Sequence, residues 1–345
     1  MSVDKTYCMS SFLMYRTIAD HSKAFNNAVT PIFYEDELEI TDYISNSEQL
    51  EKSLRKYVEK ICLEHKAALA LSGGIDSAIL AKFMPEGSVA YTFKCTVPGK
   101  RVTDETGAAS RYAQACGLEH RIVEITWDDY VEFAPILMKH KGAPMHSIEV
   151  QIYKAAIQAK KDGFDCLIFG ESCDLNYGGL SGLLSRDWTF GEFVDRYAYV
   201  KPYHALKEYR MITEPLLPYV VDGKIDVHQF DIDFFYHEAM GSYTNACTCG
   251  GVVYEAPYAH TRLIGPLDLE RIRRGENKYL VREVFEKLYR GFPVPPKLPM
   301  PRPMDEWMQD WKGPTRPEFW PHCTDNMTGD QKWLVWSLER FLAMF

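Results

Sequence analysis

Missing from this sequence is any apolar stretch approaching ~18 residues, so no segment reads as a membrane span. The first residues, Met1 to Tyr7, lack the apolar core of a signal peptide. Cations are in the minority: 39 Lys and Arg against 48 Asp and Glu give a formal net charge of −9. That argues against general nucleic-acid binding, which needs basic surface to neutralise phosphates, and leaves room only for a local basic pocket. The nine cysteines are odd in number and form no regular framework. Several sit in apolar runs, where a free thiol behaves as a small hydrophobe, so a reducing, cytoplasmic compartment is expected. Internal repeats and low-complexity tracts are absent, as is the phosphate-binding pattern G-x-x-x-x-G-K-S/T. Apolar material is ample: 46% hydrophobic and 13% aromatic residues in a chain of 345 suffice for one large or two ordinary domains.

The most informative segment is 67–77, Ala-Ala-Leu-Ala-Leu-Ser-Gly-Gly-Ile-Asp-Ser. An apolar run that stops at turn residues reads as a buried parallel strand. Gly73 and Gly74 let the backbone turn sharply and approach a ligand. Their N–H groups, with those of the next helical turn, form an anion nest at the positive end of a helix. Ser72 and Ser77 add hydroxyl donors. Asp76 would repel an anion, unless a divalent cation sits between carboxylate and phosphate. The loop therefore reads as a Mg-nucleotide site, against the plainer reading of a Ser/Gly surface turn.

Around it, strands and helices alternate. Ser45-x-x-Glu48 reads as a capping box, opening a helix whose apolar face is Leu50, Leu54, Tyr57, Val58 and Ile61. Strands are expected at 67–71, 89–94, 120–125 and 166–169. Helices are expected at 77–84, 106–116, 128–140 and 148–161. This alternation predicts an α/β fold, a parallel sheet with helices on both faces. Such sheets bind ligands beyond the carboxyl ends of their strands, which brings 72–77 and 170–179 to one rim. Three regions are expected: an N-terminal extension over 1–44 with a short strand within 31–40, an ATP-binding α/β domain over 45–185, and a mostly helical part over 186–345. Helices are expected there near 204–210, 229–241, 266–289 and 329–345, with a Pro-rich connector at 293–303. Trp307, Trp311, Trp320, Trp333 and Trp336 read as a packing core for the last helix.

The segment Ser72-Gly73-Gly74-Ile75-Asp76-Ser77 resembles the S-G-G-x-D-S pyrophosphate loop of the ATP pyrophosphatases. The segment Gly170-Glu171-Ser172-Cys173-Asp174-Leu175-Asn176-Tyr177-Gly178-Gly179 resembles G-E-G-x-D-E-x-F-G-G of the asparagine synthetase and β-lactam synthetase group. Between them, Thr92-Phe93 with Asp104, Ala109, Ala113, Gly117 and His120 is similar to the family's second strand and following helix. Tyr254-Glu255-Ala256-Pro257-Tyr258 looks like a shortened E-x-R-x-P-F segment, and Lys278-Tyr-Leu-Val-Arg282 with Lys297 like the K-x-x-L-R helix and its following lysine. The resemblance covers roughly 45–340 and implies a PP-loop, HUP-like fold using ATP and Mg²⁺. It implies that Ser72, Gly73, Gly74, Asp76 and Ser77 hold the pyrophosphate end of ATP, and that Leu71, Cys95, Phe169 and Gly170 contact adenosine. It implies that Asp76 and Asp174 bind Mg²⁺, that Glu171 helps form and resolve an acyl-adenylate, and that Lys297 stabilises transition-state charge.

The implied reaction is amide formation: a small-molecule carboxylate is adenylated, and ammonia or an amine, which a separate glutaminase could supply, displaces AMP. Departures from the family pattern matter. Residue 2 is Ser and the loop begins at Ser72, so the family's N-terminal glutaminase domain is expected to be missing. Leu175 replaces the second acid of the D-E pair, and His260 falls near the expected aspartate, which argues against aspartate as the substrate. Two other readings remain beside the ligase. Cys247-Thr-Cys249 invites a sulfur-inserting enzyme, although one C-x-C is a weak metal signal. The third is a nucleotide-binding scaffold without catalysis.

Overall fold

A computed structural model describes residues 1–34, 40, 42–296 and 298–345. Five strands form one all-parallel sheet: β1 (Ala67–Ala70), β2 (Val89–Cys95), β3 (Glu119–Ile125), β4 (Cys166–Ile168) and β5 (Val253–Glu255), in the order β5-β4-β1-β2-β3. The register places Leu69 beside Ala90 on one side and beside Ile168 on the other. The chain runs outward from β1 through β2 to β3, then crosses to the other side of β1 for β4. This reversal makes the crevice between β1 and β4 a topological switch point, where open parallel sheets place ligands.

Alternation along the strands feeds two separate cores, because side chains of a strand point to opposite faces in turn. Ala68, Ala70, Tyr91, Phe93, Leu167 and Phe169 face one core, and Leu69, Leu71, Ala90, Cys166 and Ile168 the other. The first is covered by α1 (Lys5–Tyr15), α5 (Trp127–Lys141), α6 (Ile148–Lys161), α8 (Tyr236–Cys249) and α11 (Gly329–Leu342). The second is covered by α2 (Ser47–Glu64), α3 (Ile75–Ala81), α4 (Thr106–Ala115) and α10 (Tyr279–Leu288). The short helices α7 (Cys173–Asn176) and α9 (Leu269–Arg273) lie beyond the strand ends. Among the described residues no helix is long and apolar enough to cross a membrane, and all nine cysteines are free thiols.

Several local expectations shift. The cap of α2 is Asn46, not Ser45: its Oδ1 accepts the Gln49 N–H at 2.9 Å, and Gln49 Oε1 accepts the Ser45 N–H at 2.8 Å. Residues 1–44 contain α1, capped by Asp4. Residues 31–34 form no strand, and 35–39 lie outside the described residues. The helix expected over 266–289 is two helices, α9 and α10, separated by Gly275 (φ 97°) and by Lys278 (φ 53°). Near 204–210 only Pro202–Ala205 is helical. A π-helical turn, Asp231–Phe235, leads into α8. The sheet's edge strand β5 comes from the C-terminal part, where no strand was expected.

The tryptophan cluster is a core for α11, with a changed membership. Trp333 is fully buried, stacks on Trp336 at 4.8 Å, meets Tyr130 edge-on at 5.2 Å, and donates its indole N–H to Met145 O at 3.1 Å. Trp127 and Trp307 complete it, whereas Trp320 is 46% exposed. Trp333→Ala is therefore expected to cost about 3–5 kcal/mol in urea unfolding, against less than about 0.5 kcal/mol for Trp320→Ala. Equal losses for the two variants would contradict this placement of the core.

Candidate functional site

The loop after β1 is held open by its own hydroxyls. Ser77 Oγ accepts the Ser72 N–H at 2.9 Å and lies 2.9 Å from Ser72 Oγ, which in turn accepts the Gly74 N–H at 3.1 Å. From beneath, Thr92 donates its hydroxyl to Leu71 O at 2.6 Å. Gly74 is the N-cap of α3, and no side chain caps that helix. An anion already rests on the loop: Glu105 Oε2 accepts the Gly73 N–H at 2.9 Å. Burial pushes the Glu105 carboxyl above its ordinary range. The sequence gives no hint of this contact.

The loop after β4 comes within touching distance of the first. A Cβ on Gly170 would lie 3.0 Å from Ser77 N and 3.1 Å from Asp76 Cβ, so any larger residue would push the two segments a few tenths of an ångström apart. The turn passes through Ser172, whose φ of 67° is left-handed. It leads into α7, which carries Asp174. Asp76 and Asp174 then converge on one cation: Lys278 Nζ lies 2.5 Å from Asp76 Oδ2 and 2.5 Å from Asp174 Oδ1. Burial alone would lower the Lys278 ammonium, but the Asp174 and Asp76 carboxylates outweigh it and hold it well above the ordinary lysine range. A Cβ on Gly179 would collide with both Asp174 and Lys278. The Cys173 thiol donates to Asp76 Oδ1 at 3.1 Å, and burial keeps that thiol protonated. Two carboxylates sharing one buried cation are a donor set suited to a divalent ion whose remaining ligands are phosphate oxygens and water. Among the described residues no group of three or more His, Cys, Asp or Glu is arranged to hold a metal ion by itself.

Glu171 borders the same cleft, partly buried. Burial raises its carboxyl above the ordinary range and Asp174 adds to the shift, while the Ser172 N–H, the Tyr243 hydroxyl and Lys278 pull it back. Tyr243, on α8, packs edge-on to Phe169 at 5.1 Å and lies 5.4 Å from Tyr254, forming an aromatic wall. Ala70, Tyr91, Phe93, Leu298 and Met300 give the cleft an apolar floor.

Of the residues singled out from the sequence, Leu71, Ser72, Asp76, Ser77, Phe169, Gly170, Glu171 and Asp174 line this one cleft, and Gly73 and Gly74 form its loop. Cys95 does not line it: its Sγ is turned onto Pro301 O at 3.2 Å. Lys297 lies outside the described residues. Cys247 and Cys249 sit on α8 away from the cleft, and burial raises both thiols. Lys278, Tyr243 and Glu105 join the site without having been assigned to it. Only the K-x-x-L-R pattern around Lys278 could have pointed to one of them.

A model of the asparagine synthase family matches residues 49–230, more than half of the chain. Among curated proteins nothing matches. Among solved structures, the chain is similar to the U34-tRNA thiolase NcsA from Methanococcus maripaludis with its [4Fe-4S] cluster. The two share 15% identity over 86% of this chain and 80% of that one, with a TM-score of 0.31.

Glu105 would oppose a polyphosphate bound on the loop that it occupies. Glu105→Gln keeps the size of the side chain and removes its charge. It is expected to tighten Mg-ATP binding several-fold, about 1 kcal/mol, in calorimetry. Unchanged or weaker binding would show that Glu105 does not compete for the loop.

Proposed function

Because this chain belongs to the asparagine synthase family, within the PP-loop ATP pyrophosphatases, we propose that it is an ATP-dependent, AMP-forming ligase that converts a small carboxylate to an amide. The observation that carries this reading is the shared rim: Glu171, raised by burial, stands beside the Asp76–Lys278–Asp174 centre at the switch point of the sheet. A carboxylate is a poor electrophile until one of its oxygens becomes a leaving group. In the first step a carboxylate oxygen of the substrate attacks the α-phosphorus of ATP, and pyrophosphate departs. In the second, ammonia or an amine attacks the acyl carbon, AMP leaves with the bonding pair, and the nitrogen gives up a proton.

Ser72, Gly73, Gly74 and Ser77 would hold the departing pyrophosphate with N–H and hydroxyl donors, fixed in place before charge develops. Leu71, Phe169 and Gly170 would border adenosine. Asp76 and Asp174 would hold Mg²⁺, which supplies charge neutralisation on the phosphates. Lys278, already between the two carboxylates, would offer a protein cation to the same charge. Glu171 would take the proton from the attacking nitrogen, a task suited to a carboxyl raised above its usual range. The Tyr243 hydroxyl would orient it. Lys297 is proposed, on its motif alone, to stabilise transition-state charge. A sulfur-inserting reading would draw on Cys247 and Cys249. Both belong to α8, two residues apart, an interval that turns side chains to different sides of a helix.

ATP–pyrophosphate exchange with a panel of carboxylates tests the proposal, since only adenylation makes exchange depend on the acid. Asp76→Ala and Asp174→Ala are each expected to cut turnover at least about a hundredfold while the fold is kept. Glu171→Gln should bind Mg-ATP within a few-fold of the parent yet lose amide formation. ATP binding without acid-dependent exchange would favour the scaffold instead. Normal amide formation by Glu171→Gln would remove Glu171 from the chemistry.

A further inference from the structure

A second cavity, of about 520 Å³, abuts the nucleotide cleft through α7: Asp174 lines the cleft and Asn176 lines the cavity. Leu184, Ile225, Val227, Leu267 and Leu269 make much of its wall apolar. Three arginines reach it, and they differ in what they already hold. Arg273 pairs with Asp187 at 2.6 Å and Arg186 with Glu192 at 3.0 Å. Arg262, half-buried, has no carboxylate partner among the described residues. Its Nη1 donates to Asn176 Oδ1 at 2.8 Å and to Thr261 O at 3.1 Å, and its guanidinium lies 5.7 Å from the Tyr236 ring. Burial lowers its pKa more than the nearby Tyr236, Tyr177 and Asp233 raise it, so the cation is only partly compensated for the water it has lost. Beside it, the His228 ring lies against the backbone of Leu175 and Asn176, and its buried Nε2 makes no hydrogen bond of good geometry to them or to any side chain. Buried polar atoms are seldom left so.

The cavity's two carboxylates are already engaged, Asp187 by Arg273 and Lys224 and Asp226 by the Gln229 N–H, so a desolvated guanidinium, an imidazole nitrogen without a well-formed hydrogen bond and an aliphatic wall describe the complement of an amphipathic anion. We propose that this cavity is a binding site for an organic acid with an apolar body, its carboxylate paired with Arg262 and completed by His228. Guanidinium and carboxylate match in geometry as well as charge, and Arg262 retains Nη2 and Nε for that purpose. A carboxylate held by Arg262 is engaged and cannot be the one activated in the cleft. The site therefore stands whether or not the chain is a ligase.

Calorimetric titration without nucleotide tests it, with phenylacetate and hexanoate as probes and phenylacetamide and hexanamide as uncharged isosteres. The acids are expected to bind saturably and the amides at least about tenfold more weakly. Arg262→Gln should erase that preference while leaving Mg-ATP binding unchanged. Because Arg262 also braces Asn176, a second variant guards against loss of fold: Leu269→Trp fills the cavity from its half-exposed wall and should abolish binding of the acids. Asp76→Ala, which disables the nucleotide cleft, should leave binding of the acids intact. Acids that bind no better than amides, or that bind Leu269→Trp as tightly as the parent, would overturn the assignment. So would acids that fail to bind at all, or that are displaced by Mg-ATP.

Discussion

One buried ammonium, that of Lys278, ties the rim together. Asp76 belongs to the helix after β1 and Asp174 to the helix after β4, and their carboxylates would repel each other at this separation. Lys278 meets both at 2.5 Å. The backbone around this contact is correspondingly constrained. Ser172 and Lys278 both adopt left-handed φ, of 67° and 53°. This conformation costs a residue with a side chain about 1–2 kcal/mol. Gly179 leaves room where any Cβ would meet Asp174 and Lys278. Strain of this kind persists where the surroundings over-determine it, and here they do so by charge.

A second buried ionic set positions the other wall of the cleft. Lys141 Nζ meets Glu149 Oε1 at 2.9 Å, and Asn245 donates to Glu149 Oε2 at 2.6 Å. Arg16 Nη2 meets Glu238 Oε2 at 2.8 Å, and its Nη1 lies 2.9 Å from His146 Nε2. Glu238 and Asn245 flank Tyr243 on α8, so the helix is held on either side of the residue that faces Glu171. Buried pairs of this kind add little net stability, because desolvation offsets attraction, but breaking one by removing a partner leaves a buried charge uncompensated. The loop after β4 and α8 are thus set by separate charge networks and meet at one carboxyl.

Sequence made the central sheet legible wherever a signal was local. The run 67–71 followed by Ser72-Gly73-Gly74 located β1, the loop and the start of α3, because an apolar strand and a glycine turn each have a recognisable pattern. The place of 170–179 at the rim followed from a second such junction, and Glu171 and Asp174 within it from the family resemblance. What escaped detection depends on distant partners. β5 is three residues long and exists as a strand because β4 offers it an edge. Tyr243 and Arg262 acquire their neighbours only after the chain returns to the rim. The cap of α2 was misplaced by one residue because Ser45 and Asn46 are both able to cap, and Gln49 decides between them. The break before α10 was missed because the left-handed turn at Lys278 serves the site and opposes the local helix-forming tendency.

The span between Asp76 and its counter-ion, 202 residues, also has a meaning in time. At about 5–20 residues per second, Lys278 is synthesised about 10–40 s after the loop that needs it. Between Ile168 and Val253, β1 to β4 exist as chain while the edge strand β5 and the cation do not, and the cation follows β5. The nascent sheet therefore carries an open edge at β4 and two acidic loops with no shared cation, and it has reason to stay apart until the last third of the chain arrives. Completion of the rim is in this sense a late event: it waits on Lys278, which follows both acidic loops in the chain.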